Sequence, residues 1–217
     1  MQNNTTKENI LKALNWRYAT QVFDQTKKVS GEDLHTILES ARLSPSANGI
    51  EMWKFIVVEN PEVRAKLREV GSDQHKITEA SHLIVLTYRT DAVKNLTSER
   101  ITRTAQAQNK DPKDLSKLQA SLENAVQKKS DNGTLENWIR AQIYIPLGIM
   151  IETASLLGID NGPMEGFQPD KVDEILGLKE KNLKSITMLA LGYRGEDSAA
   201  IRPKVRRSFE EVVEFVK

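Results

Sequence analysis

His82-Leu83-Ile84-Val85-Leu86-Thr87-Tyr88 is the stretch from which the fold is read. Neighbouring side chains of a strand point to opposite faces, and Leu83 to Leu86 is apolar on both. A strand of this kind is predicted to be buried on both faces. Two further segments read as strands: Lys54 to Glu59, rich in Phe, Ile and Val, and Ser185 to Tyr193. Gly162 to Met164 reads as a short extended piece.

Helices alternate with these strands. The first spans about Lys7 to Trp16, with Ile10, Leu11, Ala13 and Leu14 on one stripe. Ser30 reads as the N-cap of a second, with Asp33 three residues on and Leu34, Ile37, Leu38 and Ala41 as its apolar face. Asn60-Pro61 and Asp111-Pro112 are cap-plus-proline helix starts. Thr134 is expected to cap a long helix reaching about Leu157, kinked at Pro146 and ended by Gly158. Pro169 starts another, and Ser208 to Glu211 is a capping box. Residues 91–130 are polar and helical, a candidate lid over a site. The pattern describes one sheet covered by helices on both faces, with strand directions left open.

The 217 residues are enough for a sizeable core. Lys plus Arg number 31 against 30 Asp plus Glu, so the net charge of +1 gives no electrostatic reason to expect nucleic acid or an acidic membrane as partner. Met1 to Glu8 is polar and lacks the apolar core of a signal peptide. The most apolar run, Ile143 to Ile151, is too short for a bilayer, which needs about 20 residues. The absence of cysteine excludes disulfides, thiolate nucleophiles and thiolate metal sites, and fits a cytoplasmic setting. No phosphate-binding glycine fingerprint and no G-x-S-x-G elbow occurs. His75 and His82 do not share a helix face at metal-ligand spacing, and His82 reads as a satisfied histidine at a strand entry. Chemistry in such a chain calls for a bound cofactor.

Three sets of residues qualify as holders of an anionic cofactor, and each has a plainer reading. Arg17 to Asp24 (R-Y-A-T-Q-V-F-D) follows the first helix, where an arginine also complements the helix dipole. Ser44 to Phe55 (S-P-S-A-N-G-I-E-M-W-K-F) offers small residues and close backbone approach, or is an ordinary connector. Pro163 to Phe167 (P-M-E-G-F) is a tight turn with exposed donors, and Pro203 to Arg207 (P-K-V-R-R) is a phosphate clamp or a solvated tail.

The ordered set, with E-A-S-H-L-I-V and G-L-K-E-K between its members, resembles the nitroreductase family over about Ile10 to Arg207. The resemblance implies an α+β, three-layer α/β/α fold with a mostly antiparallel central sheet, in an intertwined homodimer. It implies a single domain over 1–217, with 91–130 a helical insertion or lid and 203–217 a C-terminal extension. It implies FMN bound at the dimer interface and NADH or NADPH as electron donor. Arg17, Lys204 and Arg206 match positions that grip the FMN phosphate, and Tyr18 and Ala19 those along its ribityl tail. Pro45, Ser46, Ala47 and Gly49 match the partner chain's loop against the flavin. Pro163, Met164, Glu165 and Gly166 match the segment beside the ring, where a backbone amide faces N5. Asp73 and Lys76 fall at ring-edge positions.

Two departures stand out. Gln21 occupies a position where the family usually has Lys or Arg beside flavin N1 and O2, so Lys76 becomes the main cation at that edge and a lower two-electron potential is expected. Asp73 stands where Asn is common. The implied reaction is ping-pong transfer of a hydride to flavin N5 and then two electrons to nitroaromatics or quinones, with no protein nucleophile. The other readings are reductive dehalogenation or flavin breakdown, and a flavin-binding or regulatory module without turnover.

Overall fold

A computed structural model describes residues 6–217, with the side chains of residues 92–94 left undescribed; residues 1–5 of the polar N-terminal stretch lie outside it. In chain order the elements are α1 (Lys7–Trp16), α2 (Gly31–Arg42), β1 (Trp53–Val58), α3 (Pro61–Val70), α4 (Lys76–Glu79), β2 (His82–Arg89), α5 (Ala92–Gln108), α6 (Ser116–Asp131), α7 (Leu135–Leu156), β3 (Asp160–Met164), α8 (Pro169–Leu176), β4 (Leu183–Gly192) and α9 (Phe209–Val212).

The caps behave as their chemistry predicts at four of five positions. Ser30 Oγ accepts from Asp33 N, Asn60 from Glu62 N and Val63 N, Asp111 from Lys113 N, and Ser208 forms a full capping box with Glu211. Thr134 differs: it precedes α7 in the helical region of backbone space, not the extended one of an N-cap, and makes no capping bond, while its hydroxyl donates to Lys129 O. Helix α7 runs unbroken through the buried Pro146, and the chain leaves it with Gly158 at φ +72°.

The four strands form one sheet in the order β1-β2-β4-β3, and every neighbouring pair is antiparallel. Side chains of β2 divide by parity. Ile84, Leu86 and Tyr88 join the core cluster built on α2 and α7, while Leu83 and Val85 join the one built on α3, α4 and α8. The expected two-sided burial of β2 is therefore met by two helical layers. A register shift opposite Leu86/Thr87 leaves Ile186 without a partner and puts it in the same cluster as Leu189 and Leu191.

The polar 91–130 segment is a packed helical pair, α5 and α6, joined by a short turn at Pro112–Leu115. Leu96, Ile101, Ala105, Leu122 and Val126 are buried, Leu118 is exposed, and Leu96 and Val126 belong to the main core. Among the described residues no helix is long and apolar enough to cross a membrane. Leu86 is fully buried between β2 and the α2/α7 layer. Leu86→Ala is expected to cost about 2–5 kcal/mol, read as a lower urea midpoint with an unchanged slope.

Candidate cofactor-binding site

Strand β3 lies at a sheet edge, and its outer side is taken by the segment that follows α1. Thr20 N donates to Asn161 O at 3.1 Å, and Ala19 pairs with Asn161 in a parallel bridge. The approach is close because Gly162 has no side chain: a Cβ there would meet Thr20 O at 2.7 Å and the Lys76 side chain at 3.3 Å. Asp160, at the start of β3, binds Arg194 N and Nε at 2.9 and 2.8 Å. The Arg194 guanidinium covers the rings of Trp16 and Tyr18 at 4.3 and 4.7 Å. Three separated pieces of chain are thereby fastened to one sheet edge.

The cations expected to grip a phosphate converge there. Lys204 Nζ donates to Leu14 O at 2.8 Å and also to Arg17 O, so the C-terminal segment docks on the end of α1. Burial, then Arg206, holds the Arg17 guanidinium below its ordinary pKa. Burial, then Arg17 and Arg206, lowers Lys204. Each charge is faced by like charge, and among the described residues none of the three forms an ion pair. Arg17 Nε is buried without a hydrogen-bond partner. A cluster of unneutralised cations around an orphaned guanidinium N–H fits an anion with several acceptor oxygens, such as a phosphate monoester.

Lys76 and Gln21 meet at the adjoining edge, with Lys76 Nζ 3.5 Å from Gln21 Oε1. Lys76 is only 4% exposed. Burial lowers its pKa, and Asp197 is the charge that opposes the shift. The short helix α4 that carries it is clamped by Arg64, whose guanidinium donates to Ile77 O, Ala80 O and Ser81 O. Gln21 itself is exposed, its amide donating to Ala19 O at 2.7 Å.

The turn after β3 is held from three sides. Thr187 Oγ1 donates to Met164 O, Gln74 Nε2 to Gly166 O, and Tyr144 Oη to Glu165 Oε1. The backbone N–H groups of Glu165 and Gly166 donate to no protein acceptor among the described residues. Asp73 is placed differently from Lys76. It sits on an exposed turn at φ +51°, and Arg68 Nε binds its carboxylate at 2.6 Å, holding its pKa below the ordinary range. The residue of that turn that reaches the 163–166 segment is Gln74.

The loop of Pro45, Ser46, Ala47 and Gly49 is a separate group. Asn48 and Gly49 both have positive φ, and the Arg100 guanidinium occupies the space of a Gly49 Cβ. Ala47 N donates to Gln142. Gln142 and Tyr144 are two residues apart on α7, about 200° around the helix. The loop and the Glu165 turn thus meet α7 on opposite faces of the helix.

Sequence reasoning missed Asp197, Asp160, Arg194, Gln74, Gln142 and Tyr144. Only Asp197 carries a local signal, as an Asp before Ser-Ala-Ala that can cap a turn. The partners of the others are distant in sequence or meet only through packing.

Two helical layers around an antiparallel sheet, with a cation cluster at the β3 edge, define an α+β protein of nitroreductase-like fold. The nitroreductase family model matches residues 14–193, and the chain belongs to that family. It is 41% identical over 220 residues to the Bacillus subtilis protein named "Putative NAD(P)H nitroreductase YfkO", covering 97% of this chain and 98% of that one. A nitroreductase-like protein from Streptococcus mutans superposes with a TM-score of 0.85 at 19% identity, covering 98% of this chain and 100% of its own. An Exiguobacterium sibiricum protein, described as a "putative nitroreductase in complex with FMN", gives 0.78 at 24% identity and covers 99% of both chains.

A lysine with a depressed folded pKa binds fewer protons folded than unfolded between the two values, so stability rises with pH across that window. Lys76→Met is therefore expected to be more stable than wild type near neutrality. The gap should narrow as pH climbs towards the free-lysine value of 10.5. Urea unfolding at stepped pH checks this, and a gap independent of pH would show that burial leaves Lys76 unshifted.

Proposed function

We propose that the chain is an FMN-dependent NAD(P)H oxidoreductase acting on nitroaromatics or quinones, working as a cytoplasmic homodimer. The observation that carries this reading is the convergence of Arg17, Lys204 and Arg206, unneutralised, around the unpartnered Arg17 Nε. It is supported by the FMN bound to the Exiguobacterium sibiricum protein and by the NAD(P)H nitroreductase name of the Bacillus subtilis relative.

Arg17, Lys204 and Arg206 would hold the FMN phosphate, and Tyr18 and Ala19 would run beside its tail. Lys76 and Gln21 would stand at the ring edge, with Pro163, Met164, Glu165 and Gly166 beside the ring. When bound, FMN supplies hydride acceptance from NADH or NADPH and two-electron delivery to the oxidant. The free N–H groups of Glu165 and Gly166 are donors already oriented by a pinned turn. Lys76 brings a positive charge that the protein keeps dry, where it acts more strongly than in water. Asp73 contributes little charge of its own, because Arg68 neutralises it.

A second copy is needed to place the Pro45 to Gly49 loop with the rest. One protomer presents that loop and the Glu165 turn on opposite faces of α7. The outer stripe of α7 would meet such a partner through Tyr144, Gly148 and Leu156, with Arg140 and Glu152 on the same stripe. The exposed tail adds Val205, Phe209, Phe215 and Val216. The α5/α6 pair is the part of the chain suited to wall the site.

The purified protein is expected to be yellow and to oxidise NADH or NADPH steadily with menadione or nitrofurazone. A flavin-loaded protein that does not turn over would identify a binding module instead. Protein that is colourless and cannot be reconstituted with FMN would reject both. Gln21→Lys, which adds a cation beside Lys76, is expected to raise the bound flavin's two-electron potential by roughly 30 mV per 1.4 kcal/mol gained. An unchanged potential in a redox titration would remove Gln21 from the ring edge.

A further inference from the structure

The cation cluster joins residues from the two ends of the chain, and one carboxylate ties those ends together. Asp197 Oδ2 accepts from Tyr18 Oη at 2.9 Å, Gln21 N at 2.9 Å and Val22 N at 3.3 Å. Its Oδ1 accepts from Ala199 N at 2.9 Å and caps the short turn Ser198–Ile201. Lys204 follows three residues after that turn, and Arg17 precedes Tyr18 directly.

We infer that Asp197 is a positioning residue that assembles the phosphate-holding cluster, by fixing the Tyr18–Val22 segment and the start of the C-terminal segment to one carboxyl group. The inference rests on the proposal that the ligand is FMN. Four donors on one carboxylate is close to its full capacity. Burial pushes the Asp197 pKa up, but the N–H groups of Gln21 and Ala199, the Tyr18 hydroxyl and Val22 N–H outweigh it and hold it low. Burial, and next the bond to Asp197, push Tyr18 up to about 12. The ionised form is thus the one the fold selects.

Charge and geometry predict opposite signs for the loss of this group. Removing a negative charge, one that Lys76 feels, should by itself favour anion binding and not weaken it. Removing the tie should loosen it, because Arg17 and Lys204 lose their relative placement. A purely structural fault would weaken phosphate-bearing and phosphate-free ligands alike.

The test is titration of the full-length protein, stripped of flavin, with FMN and with riboflavin, which lacks the phosphate. Wild type should prefer FMN. Asp197→Ala should reduce that preference by at least about tenfold, equivalent to ~1.4 kcal/mol, with riboflavin affinity little changed. Asp197→Asn keeps an acceptor for Tyr18, Gln21 and Val22 but sets an NH2 group against Ala199 N–H, so it should fall between. Tyr18→Phe, which removes one of the four bonds, should also lower the ratio and keeps the test usable if Asp197→Ala does not fold. A ratio at or above wild type in these variants, or equal weakening of both ligands, overturns the inference while leaving the FMN reading intact. Wild type that binds FMN no better than riboflavin overturns both.

Discussion

The site depends on the contact between Gly162 and the carbonyl of Thr20. A side chain at 162 would stand 2.7 Å from that oxygen, so only glycine lets the segment after α1 lie along β3. Once that segment is docked, Arg17 is held at the end of α1, Gln21 reaches Lys76, and Asp197 can gather the intervening N–H groups. The edge strand that would otherwise offer unpaired backbone groups becomes the floor of the candidate site.

Electrostatics separates two arginines that the fold treats differently. Arg64 and Arg17 are both withdrawn from water. Arg64 directs its guanidinium at three backbone carbonyls and braces α4. Arg17 leaves its Nε without a partner and faces two more cations. The first arrangement is complete in the protein alone. The second carries an uncompensated desolvation and repulsion that a bound anion would relieve, so ligand binding and stability should be coupled.

The helical layers set where chemistry can occur. Both sheet faces are filled by packed side chains, which leaves the sheet edge as the place where backbone and charged groups meet solvent. The outer stripe of α7 carries the exposed Arg140, Tyr144, Gly148 and Leu156, and the loop at Ser46 and Ala47 meets the helix on another face through Gln142.

Local chemistry was readable from the residues. The two-sided burial of β2, the caps at Ser30, Asn60, Asp111 and Ser208, and the exit of α7 at Gly158 follow from side chains acting on their own neighbourhoods. The ordered motifs also identified the family. Strand directions were not readable, because an apolar run buried on both faces looks the same in parallel and antiparallel sheets. Nor was the seam of α5 and α6, where few apolar residues in a polar stretch find one another. Asp197, Arg194 and Gln74 could be recognised only once the chain had folded, since their bonds to Tyr18, Asp160 and Gly166 span 179, 34 and 92 residues. A sequence specifies which donors and acceptors exist and which short segments form. Which of them meet across such distances is set by the packing of the whole core, and that information resides in the tertiary structure alone.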